Sequence, residues 1–579
     1  MSLLARIARH VLLLGLVSTA AAAQDVVSPE AATGRGAAKG AVAKSYMTVA
    51  ANPIAANAGA EILKAGGSAV DAAIAVQAVL NLVEPQSSGF GGGAFLLVWD
   101  ARAKRLATID GRETAPAAAK EDRFLTAAGK PMDRMTAVVG GRSVGVPGVL
   151  RALELAHRKF GKLPWARLFD PALRVAEGGF DMSPRLHALL AADSALPKIE
   201  PARSFYYQAD GTPKPVGTLL VNPAFAATLR AVAAGGADAF YRGAIADDIV
   251  RTVTAAPVSP GDIARADLEG YRAVERPPVC GPYRGHTVCG MGPPTSGGIG
   301  VIQVLGMVER FDLARLGPKD PNARHLLIEA NRLAFADRAV YIDDPDAIPV
   351  PTDALLARDY LAQRSALIAA DRRMADAPAG KVPVKGAWRL VPAASPELPS
   401  TSHFSIVDRS GNAVAMTTSV ENSFGSRLMV DGFLLNNTLT DFSYDDAARG
   451  ATVANRVGPN KRPRSSMAPT MVFDGKGRLE MVLGSPGGPA IVAFVVKTLV
   501  AMIDWKMTPA DATAAPYAIG FGRAVTVEPP LAEMAPALRA LGHDVRLGEF
   551  PSGVHAIRIT RQGLLGGADP RREGAAVGE

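Results

Sequence analysis

Residues 398–419 read Leu398-Pro399-Ser400-Thr401-Ser402-His403-Phe404-Ser405-Ile406-Val407-Asp408-Arg409-Ser410-Gly411-Asn412-Ala413-Val414-Ala415-Met416-Thr417-Thr418-Ser419. Upstream, Asp376 to Ser400 is a polar stretch spaced by Pro378, Pro383, Pro392, Pro396 and Pro399. Proline at that density keeps a chain extended and unpaired. Downstream, His403–Val407 and Ala413–Ser419 read as two strands joined by Asp408–Asn412, with Gly411 placed for a turn that needs positive φ. Thr401 thus stands where linker becomes sheet. A cut before Thr401 would give it a free α-amine, with a reference pKa of about 7.7–8.0. Such an amine is a general base beside a hydroxyl that is otherwise a weak nucleophile.

The chain of 579 residues is 48% hydrophobic, enough for a large core and against disorder as the dominant state. Beyond the linker the pattern is β-rich, with strands expected at Met471–Phe473 and Met481–Leu483 and an apolar helix over Ala490–Met502. Before it, residues 142–375 read mainly as helices, with helical spacing over Leu150–Phe160, Leu168–Gly178 and Asn322–Tyr341. A first strand is expected over Tyr46–Ala50. Asn52-Pro53 then reads as a helix N-cap and first position, and Gly66-Gly67 as its stop. Ser68 with Asp71 reads as a capping box, opening a buried helix from Ala69 to about Val83.

Arg6 and Arg9, the apolar run Val11–Val17 and the small residues Ala20–Ala23 resemble an export signal cleaved before Gln24. The run is too short for a stable membrane span. A secreted or periplasmic protein is expected, with residues 24–44 mobile. In that setting Cys280 and Cys289 can stay oxidised. If Arg284-Gly285 is a two-residue turn, the two cysteines fall directly opposite on paired strands; whether they are bonded is left open. Metal binding is not expected from two cysteines and eight scattered histidines. The net charge of +8 is spread along the chain, without the aromatic-interleaved basic stripe that binds nucleic acid. Its densest patch, Arg456, Lys461, Arg462 and Arg464, reads by default as a solvated loop.

Ser88–Gly93 is glycine-rich but runs from helix into strand, the reverse of a phosphate loop. Close backbone approach to a site is the better reading. Polar residues also gather at Asp110–Glu113, Leu434–Phe442 and Asn460–Met467. Gly484-Ser485-Pro486-Gly487-Gly488 precedes a helix, so its amides can meet developing negative charge.

Together and in order, from about Tyr46 to Arg571, these segments resemble the γ-glutamyltransferase (γ-glutamyltranspeptidase) family of N-terminal nucleophile hydrolases. The likeness extends to Asn81–Gln86, Gly292–Gly298, Ala336-Asp337-Arg338 and Gly566–Arg571. It implies an α+β fold, a four-layer αββα sandwich built by both products of a self-cleaved precursor. A signal at 1–23, a large subunit at 24–400 (including the linker 376–400) and a small catalytic subunit at 401–579 would remain as a heterodimer. It implies Thr401 as nucleophile, Ser419 as a hydroxyl touching it, and Gly487 and Gly488 as oxyanion donors. Arg112, Ser465 and Ser466 match the residues that hold the substrate α-carboxylate, and Asp441 the acid that takes its α-ammonium group. The implied substrates are glutathione and other γ-glutamyl amides, with water or amino-acid and peptide amines as acceptors. No metal or organic cofactor is implied.

Two positions depart from the family pattern. Glu421 stands where Asn is usual, and Thr438 where Gln or Glu is usual, both in the α-ammonium pocket. Tyr444–Ala454 is also shorter than the covering loop of many relatives, which implies a more open site. The alternatives are an amidase of altered specificity, glutaryl-cephalosporin acylase-like or poly-γ-glutamate-processing, and an uncleaved inactive binding protein.

Overall fold

The computed structural model describes residues 36–386, 388–392, 400–444 and 452–579. The segment expected to be an export signal (1–23), linker residues 393–399 and residues 445–451 of the loop expected to be short lie outside the described residues.

Two seven-stranded sheets form the centre. Their strands are β1 (Lys39–Ala43), β2 (Met47–Ala50), β3 (Gly93–Asp100), β4 (Arg105–Gly111), β5 (Val274–Arg276), β6 (Val279–Tyr283) and β7 (His286–Gly290) before Thr401. After it come β8 (Ser402–Val407), β9 (Ala413–Ser419), β10 (Thr470–Phe473), β11 (Leu479–Gly484), β12 (His555–Thr560), β13 (Gly563–Ala568) and β14 (Ala575–Gly578). One sheet runs β1-β13-β12-β11-β10-β7-β6 and the other β14-β2-β8-β9-β3-β4-β5. Each mixes strands from both sides of Ser400, so neither half can complete a sheet alone. With helices outside both sheets, this is the expected αββα sandwich.

The layers follow from the strand patterns. Met47, Val49, Phe95 and Leu97 of one sheet pack with Val472, Val482 and Ile557 of the other. On the opposite face, Phe404, Ile406 and Val414 meet the helix Ala69–Val83, every residue of which is buried. Strands buried on both faces cannot show the alternation that marks a surface strand. The caps form as the residues require: Asn52 accepts from the Ile54 amide at 2.9 Å, and Ser68 with Asp71 completes a capping box.

β8 and β9 sit side by side at the middle of their sheet, with Ser402 opposite Thr418 and Val407 opposite Ala413. Cys280 and Cys289 are partners across the β6–β7 hairpin and are disulfide-bonded. Arg284 and Gly285 supply the two positive-φ turn residues. Among the described residues, no helix is long and apolar enough to cross a membrane.

Three expectations change. Lys39–Ala43, assigned to a mobile segment, is an edge strand, because β13 offers the small partners Gly566 and Gly567. Leu390–Val391 in the proline-rich linker pairs with Thr452–Val453, and Gly380 receives the Tyr341 hydroxyl and donates to Asp337, so these described parts of the linker are docked. Lys461, Arg462 and Arg464 are buried rather than solvated. Lys461 pairs with Asp343 at 2.8 Å, and Arg462 with Asp110 at 3.3 Å.

Candidate active site

Thr401 immediately precedes β8 and is only 4% exposed. Its Oγ1 lies 3.2 Å from Ser419 Oγ, at the end of the neighbouring strand β9. The Ser419 hydroxyl donates to the Ser400 carbonyl at 2.6 Å and accepts from the Glu421 amide at 2.9 Å. Its single proton is thereby committed to Ser400, so Thr401 is the donor in the Thr401–Ser419 bond. Ser400 is fully buried, its hydroxyl bonded to the Gln86 carbonyl at 2.5 Å. The Ser400–Thr401 peptide bond is held in place, its carbonyl polarised by a hydroxyl from the next strand.

The glycine run explains how the neighbouring segments come so close. Gly93 pairs with Ser419, and a Cβ on Gly92 would lie 2.1 Å from the Ser419 carbonyl oxygen. A Cβ on Gly93 would lie 2.1 Å from a Glu113 carboxylate oxygen. The run packs backbone against the site, as its helix-to-strand direction suggests, and carries no phosphate-loop geometry.

Beyond that run, β4 ends at Gly111 and delivers Arg112, which is 1% exposed. Its Nη2 meets Asp441 at 2.5 Å and the Arg464 carbonyl at 3.0 Å, while Nε donates to the Pro463 carbonyl at 3.2 Å. Nη1 lies 3.5 Å from Glu113. Burial works against its charge, but Glu113 and Asp441 outweigh that and hold the pKa above the ordinary arginine value. Asp441 closes the turn Thr438–Asp441, and Asn455 donates to its carbonyl at 2.7 Å.

Glu113 and Asn437 are the pocket residues that sequence reasoning did not single out. The Thr438 hydroxyl donates to Glu113 at 2.6 Å, and Asn437 Nδ2 reaches Glu421 at 3.2 Å and Thr440 at 2.9 Å. Burial pushes Glu113 up to about 6, against the pull of Arg112 and the Thr438 hydroxyl. The signal for Glu113 was its place beside Arg112; for Asn437, its place between two polar neighbours in an apolar run. Glu421 adopts φ 81°, rare for a residue with a side chain. Glu113, Glu421 and Asp441 give this pocket three carboxylates around the Arg112 guanidinium.

Ser465 and Ser466 arrive on the strand of chain that bridges to Thr295. The Ser465 hydroxyl accepts from the Met467 amide at 3.1 Å. The Ser466 hydroxyl is buried and has no hydrogen-bond partner among the described residues. Gly487 and Gly488 lie past the end of β11, with φ of 130° and 54°, and lead through a short 3-10 turn into the helix Ile491–Ile503. Their loop begins at Gly484, where a Cβ would strike His403 at 2.3 Å, two residues from Thr401.

All ten sequence-derived site residues are buried, and Thr401 with Ser419, Arg112 with Asp441, and Thr438 with Glu113 are directly joined. The carboxylates can hold a cation, the guanidinium and Ser466 hydroxyl an anion, and the Thr401 hydroxyl can attack a carbonyl carbon.

The family model described as Gamma-glutamyltranspeptidase matches residues 55–579. A glutathione hydrolase proenzyme of Bacillus subtilis (strain 168) is 36% identical over 557 residues, 93% of this chain and 92% of that protein. A glutathione hydrolase proenzyme of Escherichia coli (strain K12) is 35% identical over 542 residues, 91% of each chain. Among solved structures, a cephalosporin acylase from Bacillus halodurans superposes with a TM-score of 0.81 at 26% identity, covering 96% of this chain and 99% of that one. With the sandwich, the buried threonine at the head of its central strand and this near full-length likeness, the chain belongs to the γ-glutamyltranspeptidase family.

Proposed function

We propose that this chain is an exported precursor that cuts itself between Ser400 and Thr401, and that the product hydrolyses and transfers γ-glutamyl groups of glutathione and related amides. The observation that carries this reading is the Thr401–Ser419–Ser400 arrangement. In the first step Thr401 Oγ1 attacks the Ser400 carbonyl carbon. The C–N bond breaks, an ester forms, and the hydroxyl proton passes to the departing nitrogen, which becomes the Thr401 α-amine. Water then opens the ester, leaving a carboxylate on Ser400 and a free hydroxyl on Thr401.

In turnover the α-amine takes the Thr401 proton as Oγ1 attacks the substrate γ-amide, and returns it to the leaving amine. The amides of Gly487 and Gly488 stabilise the oxyanion. The acyl ester passes to water or to an incoming amine. Arg112 and the unpartnered Ser466 hydroxyl receive the α-carboxylate, with Ser465 holding the backbone beside it. Asp441 and Glu421 receive the α-ammonium group. Thr438 acts through Glu113, whose carboxylate it orients.

A second reading, an acylase for donors without an α-amine, draws on the likeness to the cephalosporin acylase and on Thr438 being engaged by Glu113. Two measurements separate the readings. Intact mass and N-terminal sequencing should give two chains, the smaller starting at Thr401; a single uncut chain sinks the mechanism. A γ-glutamyl anilide should turn over far faster than its glutaryl analogue, and equal rates favour the acylase.

A further inference from the structure

Thr401 lies one residue outside the ladder, since β8 begins at Ser402. In the uncut chain Ser400 tethers it. Once the Ser400–Thr401 bond is broken, the nucleophile becomes a chain terminus, the place where strands fray. Something must then hold its backbone, because a misplacement of about 1 Å at a reacting group can cost about 10²-fold in rate.

Arg572 supplies that hold. It is 2% exposed, and its Nη1 donates to the Thr401 carbonyl at 2.9 Å. Its Nε donates to the Pro551 carbonyl at 3.1 Å, which fixes the guanidinium plane from a second side. The chain around it is anchored separately. Arg571 pairs with Glu528 at 2.6 Å and with Asp569 at 3.0 Å, and β14 beyond pairs with β2, the neighbour of β8. The task of docking the C-terminal segment therefore falls to Arg571 and the strand, and Arg572 is directed at the nucleophile. Arg572 also borders the glycine loop: Gly553 is wedged between them, with room for no side chain. A Cβ there would lie 2.7 Å from Arg572 Cδ and 2.8 Å from Pro486 Cγ.

We infer that Arg572 is the positioning residue of Thr401: by gripping its carbonyl it fixes the Thr401–Ser402 peptide plane, and so aims both the hydroxyl and the new α-amine after cleavage. The inference rests on Thr401 being the nucleophile. A planar guanidinium suits the role, because two donors in a fixed geometry lock a direction that a single flexible ammonium cannot.

The test compares wild type, Arg572→Gln, Arg572→Lys and Thr401→Ala as purified full chains, with cleavage followed by mass and turnover on a γ-glutamyl anilide. Arg572→Gln is expected to lower kcat at least about tenfold while KM stays within about twofold and the melting temperature is kept. Arg572→Lys should recover part of the kcat. A kcat for Arg572→Gln within twofold of wild type overturns the inference, as does a loss matched by unfolding and equal in Arg572→Lys. If Arg572→Gln does not fold, Arg572→Lys decides alone: a lowered kcat at unchanged KM supports the inference and a wild-type kcat overturns it. A Thr401→Ala chain that still cleaves or turns over defeats the nucleophile assignment itself, whatever Arg572 does.

Discussion

Ser419 Oγ stands 2.6 Å from the carbonyl oxygen of Ser400, across the two central strands. In the proposed cleavage, that hydroxyl meets the oxygen on which negative charge would grow as Thr401 attacks. Ser419→Ala should therefore slow precursor cleavage by about 10²-fold, the usual cost of one oxyanion donor. Ser419→Thr, which keeps the hydroxyl, should cleave at a rate close to wild type. A gel time course of freshly folded precursor measures both; wild-type cleavage in the alanine variant would remove Ser419 from the mechanism.

Asp441→Asn should leave cleavage intact and raise KM for a γ-glutamyl anilide by roughly 10- to 100-fold. A hydrogen bond to a charged group is worth about 1.5–3 kcal/mol, and Asp441 is assigned such a bond to the substrate ammonium. The glutaryl analogue, lacking that ammonium, should lose much less. Equal losses on both donors would show that Asp441 acts only by holding Arg112.

Glu113 sets a pH dependence of stability. Its folded pKa of about 6 exceeds the ordinary 4.5, so between these values the folded state keeps a proton that the unfolded state has lost. The stability it contributes is present below pH 4.5 and lost as pH rises through 6. Thr438→Val removes a hydrogen bond that favours the charged form. Its penalty relative to wild type should be small at pH 4.5 and grow to roughly 1–2 kcal/mol above pH 6.5. Urea midpoints at several pH values read this, and a pH-independent penalty would contradict it.

His403 gives the opposite slope. Burial, with the nearby His555 imidazole, holds its pKa well below the ordinary 6.5. The unfolded chain therefore takes up a proton that the folded one refuses, and the stability due to neutral His403 is lost as pH falls below about 6.5. His403→Asn should cost stability at pH 7.5 and lose less further stability than wild type on going to pH 5. Parallel melting curves for the two proteins would show that His403 does not titrate on unfolding.

The Cys280–Cys289 bond closes a short loop, with a sequence separation of nine. Chain entropy gives about 2–3 kcal/mol for a loop of that size. It joins an edge hairpin, in the sheet that does not contain Thr401. Replacing both cysteines by serine should lower stability by up to that amount and leave turnover unchanged. A fall in kcat at full folding would tie the hairpin to the site.

The local signals were legible in the residues themselves. Asn52-Pro53, the Ser68–Asp71 capping box, the Gly411 turn and the Arg284-Gly285 hairpin form as their side chains and backbone freedom dictate. Their hydrogen bonds span a few residues, so the sequence alone determined them. The order of motifs around Thr401 likewise determined the family and the sandwich. Long-range partnership had no local trace. Lys39–Ala43 is a strand because Gly566 and Gly567 lie beside it, and Lys461 and Arg462 are buried because distant acids pair with them. Glu113 with Thr438, and Arg572 with Thr401, are joined across 325 and 171 residues. Only the tertiary structure decided those pairs, since a hydrogen bond depends on distance in space, and the sheets bring together what the chain keeps far apart.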